Sequence, residues 1–138
     1  MIANSFRIQF VDTDLTQRIH YSSIFRYFER MDHDFFRKIG YSYNDLFKQG
    51  YEMTRVHVEC NYLGEIQYDD VLEAQTSITK IGNSSFTYLF QFFKQGRLVI
   101  KAVMNIVFIS SSTGKKQPIP EFIKAELEKH LEAEVLKK

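Results

Sequence analysis

Hydrophobic and polar positions change their period several times along the chain, and each change marks an element. Phe6, Ile8 and Phe10 alternate with Arg7 and Gln9, the two-residue period of a half-buried strand. That strand ends at Val11-Asp12-Thr13-Asp14, and a polar loop runs on to Tyr21. Over residues 22–39 the period becomes helical. Ile24, Phe28, Met31, Phe35 and Ile39 share one face, and Phe25 and Phe36 widen the stripe. Ser22 or Ser23 can cap this helix and Gly40 suits a left-handed exit. At 1.5 Å per residue it would be about 27 Å long, with a wide aromatic face to bury. Residues 42–48 add a short helical turn.

The pattern then returns to two. Val56, Val58, Cys60 and Tyr62 alternate with polar residues, as do Leu72, Ala74, Thr76 and Ile78. Phe86, Tyr88, Phe90 and Phe92 follow, then Leu98, Ile100, Ala102, Met104, Ile106 and Phe108. Gly82-Asn83 and Gln95-Gly96 are hairpin signals between these runs. The expectation is an antiparallel meander of long strands. Val99, Val103 and Val107 make the last strand apolar on both faces, which predicts a covered sheet or a partner subunit. Pro118 and Pro120 introduce a charged, solvated amphipathic helix over about 121–136. A strand, a long buried helix and several long antiparallel strands make an α+β fold, with the helix filling the concave face of a curved sheet.

Composition narrows the class. With 138 residues, one domain is expected to span 1–138. Aromatic residues reach 15%, from 13 Phe and 8 Tyr, whereas Gly (6) and Pro (2) are scarce, which favours long elements. A net charge of +1 argues against a nucleic-acid binder. The single Cys60 excludes an intramolecular disulfide and a multi-cysteine zinc site, and it is assigned to the core. His33 and His57 lack metal-ligand spacing. The first residues lack the pattern of a signal peptide, and no apolar run is long enough for a membrane span. A cytoplasmic location is therefore expected.

The candidate chemistry lies in Asp12-Thr13-Asp14-Leu15-Thr16-Gln17-Arg18-Ile19-His20-Tyr21. Two carboxylates stand just ahead of a helix, whose first N–H groups carry partial positive charge. A carboxylate there can attack an acyl carbon or activate water, and a free N–H can hold the resulting oxyanion. The bland alternative is that both aspartates cap and solvate a loop. His20 beside the helix start either contacts substrate, tunes Asp14 or merely hydrogen-bonds. Glu29 is assigned to a structural acceptor role. Tyr62, Phe86 and Tyr88 are candidates to line an acyl pocket.

Together, Asp12-Thr13-Asp14, Ile19-His20-Tyr21, Phe28-Glu29, Gly40, Tyr68-Asp69-Asp70-Val71-Leu72-Glu73 and Ser85-Phe86 resemble the 4-hydroxybenzoyl-CoA thioesterase family of hotdog-fold proteins. They are also similar to its Tol-Pal-associated acyl-CoA thioesterases. The resemblance runs over about residues 6–109. It implies a hotdog fold and sheets joined edge to edge in a homodimer, with a homotetramer to follow and an active site at the dimer interface. It implies hydrolysis of an acyl- or aroyl-CoA without metal or redox cofactor. Asp14 would be nucleophile or general base, and the backbone N–H of Tyr21 would polarise the carbonyl. Gln17, Arg18, His20, Tyr62 and Ser85 would meet substrate.

Two departures stand out. Gln17 replaces the family's glycine, so a left-handed backbone there would be strained. The turn Gly82-Asn83-Ser84 lacks the basic residues of some benzoyl-CoA members, leaving backbone groups or other cations, such as Lys94, Arg97 or Lys101, to meet CoA phosphates. A carrier-protein thioester as substrate, or a non-catalytic thioester-binding hotdog, are the rival readings.

Overall fold

In the computed structural model, which describes residues 1–132, the chain forms β1 (Ile2–Arg7), a short 3-10 turn (Phe10–Asp12), α1 (Ile24–Lys38) and α2 (Tyr43–Lys48). The strands β2 (Tyr51–Tyr62), β3 (Val71–Ile81), β4 (Ser85–Lys94) and β5 (Arg97–Ser110) follow, and α3 (Glu121–Glu128) closes the sequence of elements. All five strands join one antiparallel sheet in the order β1-β3-β4-β5-β2. The long helix packed on this curved sheet is the α+β hotdog arrangement.

The aromatic excess explains the packing. α1 buries Ile24, Tyr27, Phe28, Met31, Phe35 and Phe36 against the sheet. Phe28 lies parallel to Phe90 at 5.1 Å, and Phe35 meets Tyr88 edge-on at 5.5 Å. Each such ring adds about 2–3 kcal/mol through the area removed from water. Phe86 and Tyr88 are fully enclosed in this core, so they do not line a pocket as expected. Gly40 leaves α1 at φ +100°, and Gln95-Gly96 turns β4 into β5 with both residues at positive φ, at +50° and +80°. Those are the backbone angles that the hairpin signal requires.

Several expectations change. The first strand ends at Arg7, and Phe10 turns out into solvent on the 3-10 turn. α1 begins at Ile24, and neither Ser22 nor Ser23 caps it with a side chain. A turn closed by Ser23 N–H to His20 O (2.9 Å) leads in instead. Phe25 stays partly exposed, at the edge of the stripe. The meander holds only for β3 to β5, because β2 crosses to the far edge and pairs with β5. Residues 63–70 then pass the end of the β4–β5 hairpin, anchored by Leu63 N–H to Val99 O at 2.8 Å. As an edge strand, β2 leaves Val56, Val58 and Tyr62 exposed, with Cys60 half-buried. A bulge at Val56 interrupts its alternation. On β5, Val99 and Val107 are buried while Val103 is half-buried. The last helix spans 121–128 and buries Ile123 and Leu127, and residues 133–136 of the expected helix lie outside the described residues.

Candidate active site

Asp12 and Asp14 occupy one small hairpin but live in different surroundings. Its rungs are His20 N–H to Asp12 O (2.8 Å), a bridge between Thr13 and Ile19, and Asp14 N–H to Arg18 O (3.0 Å). The second arm pairs onward with the β2–β3 connection through Ile19 N–H to Ile66 O (2.8 Å), Tyr68 N–H to Gln17 O (3.2 Å) and an Arg18–Glu65 ion pair. The segment expected as a polar loop is thus bound to the body of the protein on one side.

Asp12 is buried. Its carboxylate accepts from Gln9 N–H (2.9 Å), Tyr27 Oη and Arg26 Nη2. Burial pushes its pKa up, yet these donors outweigh burial and the net shift is down. Burial and the bond to Asp12 push the Tyr27 hydroxyl up to about 12. Asp12 therefore ties the hairpin to α1, with its carboxylate closed off from solvent.

Asp14 is exposed. Its Oδ1 accepts from Thr16 Oγ1 (2.6 Å) and Thr16 N–H (2.8 Å). Those two bonds, with the nearby charges of His20 and Arg18, hold its pKa below the ordinary value. The carboxylate is thus ionised at neutral pH and open to a ligand. Gln17 closes the tip at φ +67°, the left-handed conformation that glycine adopts freely and glutamine does not.

Tyr21 opens the turn before α1, three residues ahead of its first helical residue. Among the described residues no hydrogen bond engages its N–H. Its ring is exposed and lies 4.5 Å from the His20 ring. His20 Nδ1 accepts from Ser22 N–H at 3.2 Å and lies 2.9 Å from Ser22 Oγ. Tyr62 reaches this turn from the end of β2 and donates to Tyr21 O. Hence Asp14, Gln17, Arg18 and His20 share one hairpin, and Tyr62 meets Tyr21, the residue that follows it. Ser85 does not. It pairs with Val107, whereas Tyr62 pairs with Ile100, and seven residues of strand separate the two positions by about 23 Å.

A second polar cluster escaped the sequence. Asp32, buried within the apolar face of α1, accepts from Tyr88 Oη (2.6 Å), Tyr43 Oη and Arg55 Nη2. It borders a cleft of about 450 Å³ that Phe25, Glu29, His33, Arg55 and Met104 also line. The signal available was a carboxylate set between Met31 and Phe35 in the helical stripe. Glu29, expected as a structural acceptor, is exposed and accepts no hydrogen bond among the described residues. Those residues hold no cluster of potential metal ligands, and no helix among them is long and apolar enough to cross a membrane.

A family profile described as the thioesterase-like superfamily matches residues 8–127. The chain belongs to the thioesterase-like superfamily. Over 115 residues it is 32% identical to a candidate esterase of Aquifex aeolicus, covering 83% of this chain and 88% of that one. It is 26% identical over 117 residues to a 1,4-dihydroxy-2-naphthoyl-CoA hydrolase of Prochlorococcus marinus, covering 79% and 76%. A crystallised protein of Aquifex aeolicus superposes with a TM-score of 0.86 at 29% identity, covering 92% of this chain and 99% of that one. As a member of the thioesterase-like superfamily, the chain is an enzyme of hotdog architecture. A hotdog thioesterase needs a carbonyl-polarising donor and a group to attack or activate water, and the hairpin holds one candidate for each.

Proposed function

We propose that the protein hydrolyses an acyl- or aroyl-CoA to the free carboxylate and CoA, with Asp14 as the reacting carboxylate. One observation carries this reading. In a chain of the thioesterase-like superfamily, one hairpin joins an exposed, ionised carboxylate to an unengaged N–H at the entrance to a helix. The Tyr21 N–H hydrogen-bonds the thioester oxygen and stabilises the negative charge that develops there. Asp14 then adds to the carbonyl carbon, expelling CoA thiolate and leaving an anhydride that water hydrolyses. In the other route, Asp14 removes a proton from the water that adds. Gln17, Arg18 and His20 border the approach to Asp14, although Arg18 is held by Glu65.

The order and spacing of the motifs support the 4-hydroxybenzoyl-CoA thioesterase branch, and this reading sets the reaction in the cytoplasm. The naphthoyl-CoA hydrolase of Prochlorococcus marinus supports an aroyl group among the substrates. The functional unit in this reading is a homodimer, itself paired into a tetramer. β2 presents an unpaired edge with Val56 and Val58 exposed. Antiparallel pairing of two β2 edges about a two-fold axis would turn the partner's Ser85 end toward the Asp14 end of the first protomer. Ser85 then acts in the site across the interface.

The test is thiol release from a panel of aroyl-, short-acyl and long-acyl-CoA thioesters, with the same acyl groups on a carrier protein. Wild type is expected to turn over CoA thioesters, and Asp14→Ala to lose about 10²–10⁴-fold in kcat. Equal rates for the two proteins refute the role of Asp14. Turnover of carrier-protein thioesters alone moves the substrate class, and ligand binding without turnover makes the protein a thioester-binding module.

A further inference from the structure

We propose that Tyr62 is a positioning residue for the Tyr21 peptide, so that the edge strand β2 sets the aim of the N–H that polarises the thioester. The inference rests on the hydrolytic reading above and adds a residue that acts through the backbone rather than on substrate. The Tyr62 hydroxyl donates to Tyr21 O. On the other side of the same peptide unit, Ser22 N–H donates to His20 Nδ1 at 3.2 Å. The preceding unit is held by its carbonyl, since His20 O accepts from Ser23 N–H at 2.9 Å. A peptide unit is planar, so the Ser23 bond to His20 O sets the direction of the Tyr21 N–H, while the Tyr62 bond fixes the next unit, joined to it through the Tyr21 Cα, and so limits rotation about that Cα. Of the four polar groups in the two units flanking Tyr21, three are tied and the Tyr21 N–H alone is left for a ligand.

Tyr62 is the one member of this clamp that comes from outside the turn. Ser22, Ser23 and His20 are the turn's own neighbours, and Tyr21 is 69% exposed. An exposed turn held only by local bonds shifts easily, whereas β2 is fixed by eleven register positions along β5 from Tyr51 to Tyr62. Misplacing an oxyanion donor by about 1 Å costs on the order of 10²-fold in rate. The expected loss is smaller for Tyr62, because the local bonds remain.

The test replaces only the hydroxyl. Tyr62→Phe is expected to lower kcat by about tenfold while KM changes by less than about threefold, and 4-aminophenylalanine at position 62, which restores a donor, is expected to recover most of kcat. A readout independent of turnover accompanies it. A non-hydrolysable acyl-CoA analogue with CH₂ in place of sulfur is bound, and the infrared stretch of its carbonyl is recorded. Wild type is expected to shift that stretch to lower frequency, and Tyr62→Phe to shift it less. Unchanged kcat in Tyr62→Phe, or an equal carbonyl shift in both proteins, overturns the inference. If wild type turns over no thioester, hydrolysis fails as a reading, and the carbonyl shift alone decides the role of Tyr62.

Discussion

Tyr27 of α1 donates its hydroxyl hydrogen to the buried carboxylate of Asp12, two residues ahead of the exposed Asp14. The two acids of the Asp-x-Asp motif are thereby separated by environment, one spent on architecture and the other left free. Asp12→Asn keeps the shape but removes the charge from bonds with Arg26, Tyr27 and Gln9. It is expected to cost about 2 kcal/mol in urea-induced unfolding. The sign with pH follows from the lowered folded value. The contribution of Asp12 is complete above about pH 4, given an ordinary value of 3.8, and is lost as pH falls through the folded pKa. Asp12→Asn should therefore flatten the acid side of the stability curve.

Asp14 is expected to respond to Thr16. The threonine hydroxyl is the largest influence holding its pKa down, so Thr16→Ala should move the Asp14 carboxyl back toward 3.8 from below. Titration of the Asp14 carboxyl carbon by NMR reads this directly. A titration midpoint that stays put, or falls, contradicts the assigned hydrogen bond.

Gln17 holds φ +67° at the hairpin tip. Gln17→Gly removes the Cβ from a left-handed backbone and is expected to stabilise the protein by about 1 kcal/mol. Denaturant midpoints for the two proteins check it. The same change is expected to leave the Asp14 titration close to wild type, because the Thr16 bonds do not involve Gln17.

Asp32 predicts the opposite sign. Asp32→Ala leaves Arg55 without its carboxylate and Tyr43 and Tyr88 without an acceptor, in and beside the core. A loss of about 3–5 kcal/mol is expected. Tyr88→Phe removes one donor and should cost about 1–2 kcal/mol. Thermal unfolding that ranks these two in the reverse order would falsify the central place given to Asp32.

Periodicity carried most of the fold. Ile24, Phe28, Met31 and Phe35 named the buried helix face, and Gln95-Gly96 located a hairpin, because side-chain spacing and positive φ are local properties. Strand order was not local. Nothing in residues 56–62 states that β2 pairs with β5 rather than β3, so the alternation alone does not reveal that Val56 and Val58 lie on an exposed edge. In the site, the tip strain at Gln17 was legible from one residue. Tyr62 was legible as a member of the neighbourhood but not as a donor to a backbone carbonyl, and Asp32 was hidden because its partners come from α2, β2 and β4.

The two enclosed carboxylates of α1's surroundings bear on how the helix is indexed. Phenylalanine against phenylalanine is forgiving, since rings can slide or tilt by an ångström and still exclude water. Asp12 beneath Arg26 and Tyr27, and Asp32 beneath Arg55, Tyr43 and Tyr88, tolerate less slip, because a hydrogen bond weakens steeply once it is stretched or bent out of line. One acts near the start of α1 and the other at its middle, like two dowels in a joint. They set both rotation and axial position of a helix that an all-aromatic bed alone would let wander, and so hold its first turns against the hairpin that carries both aspartates.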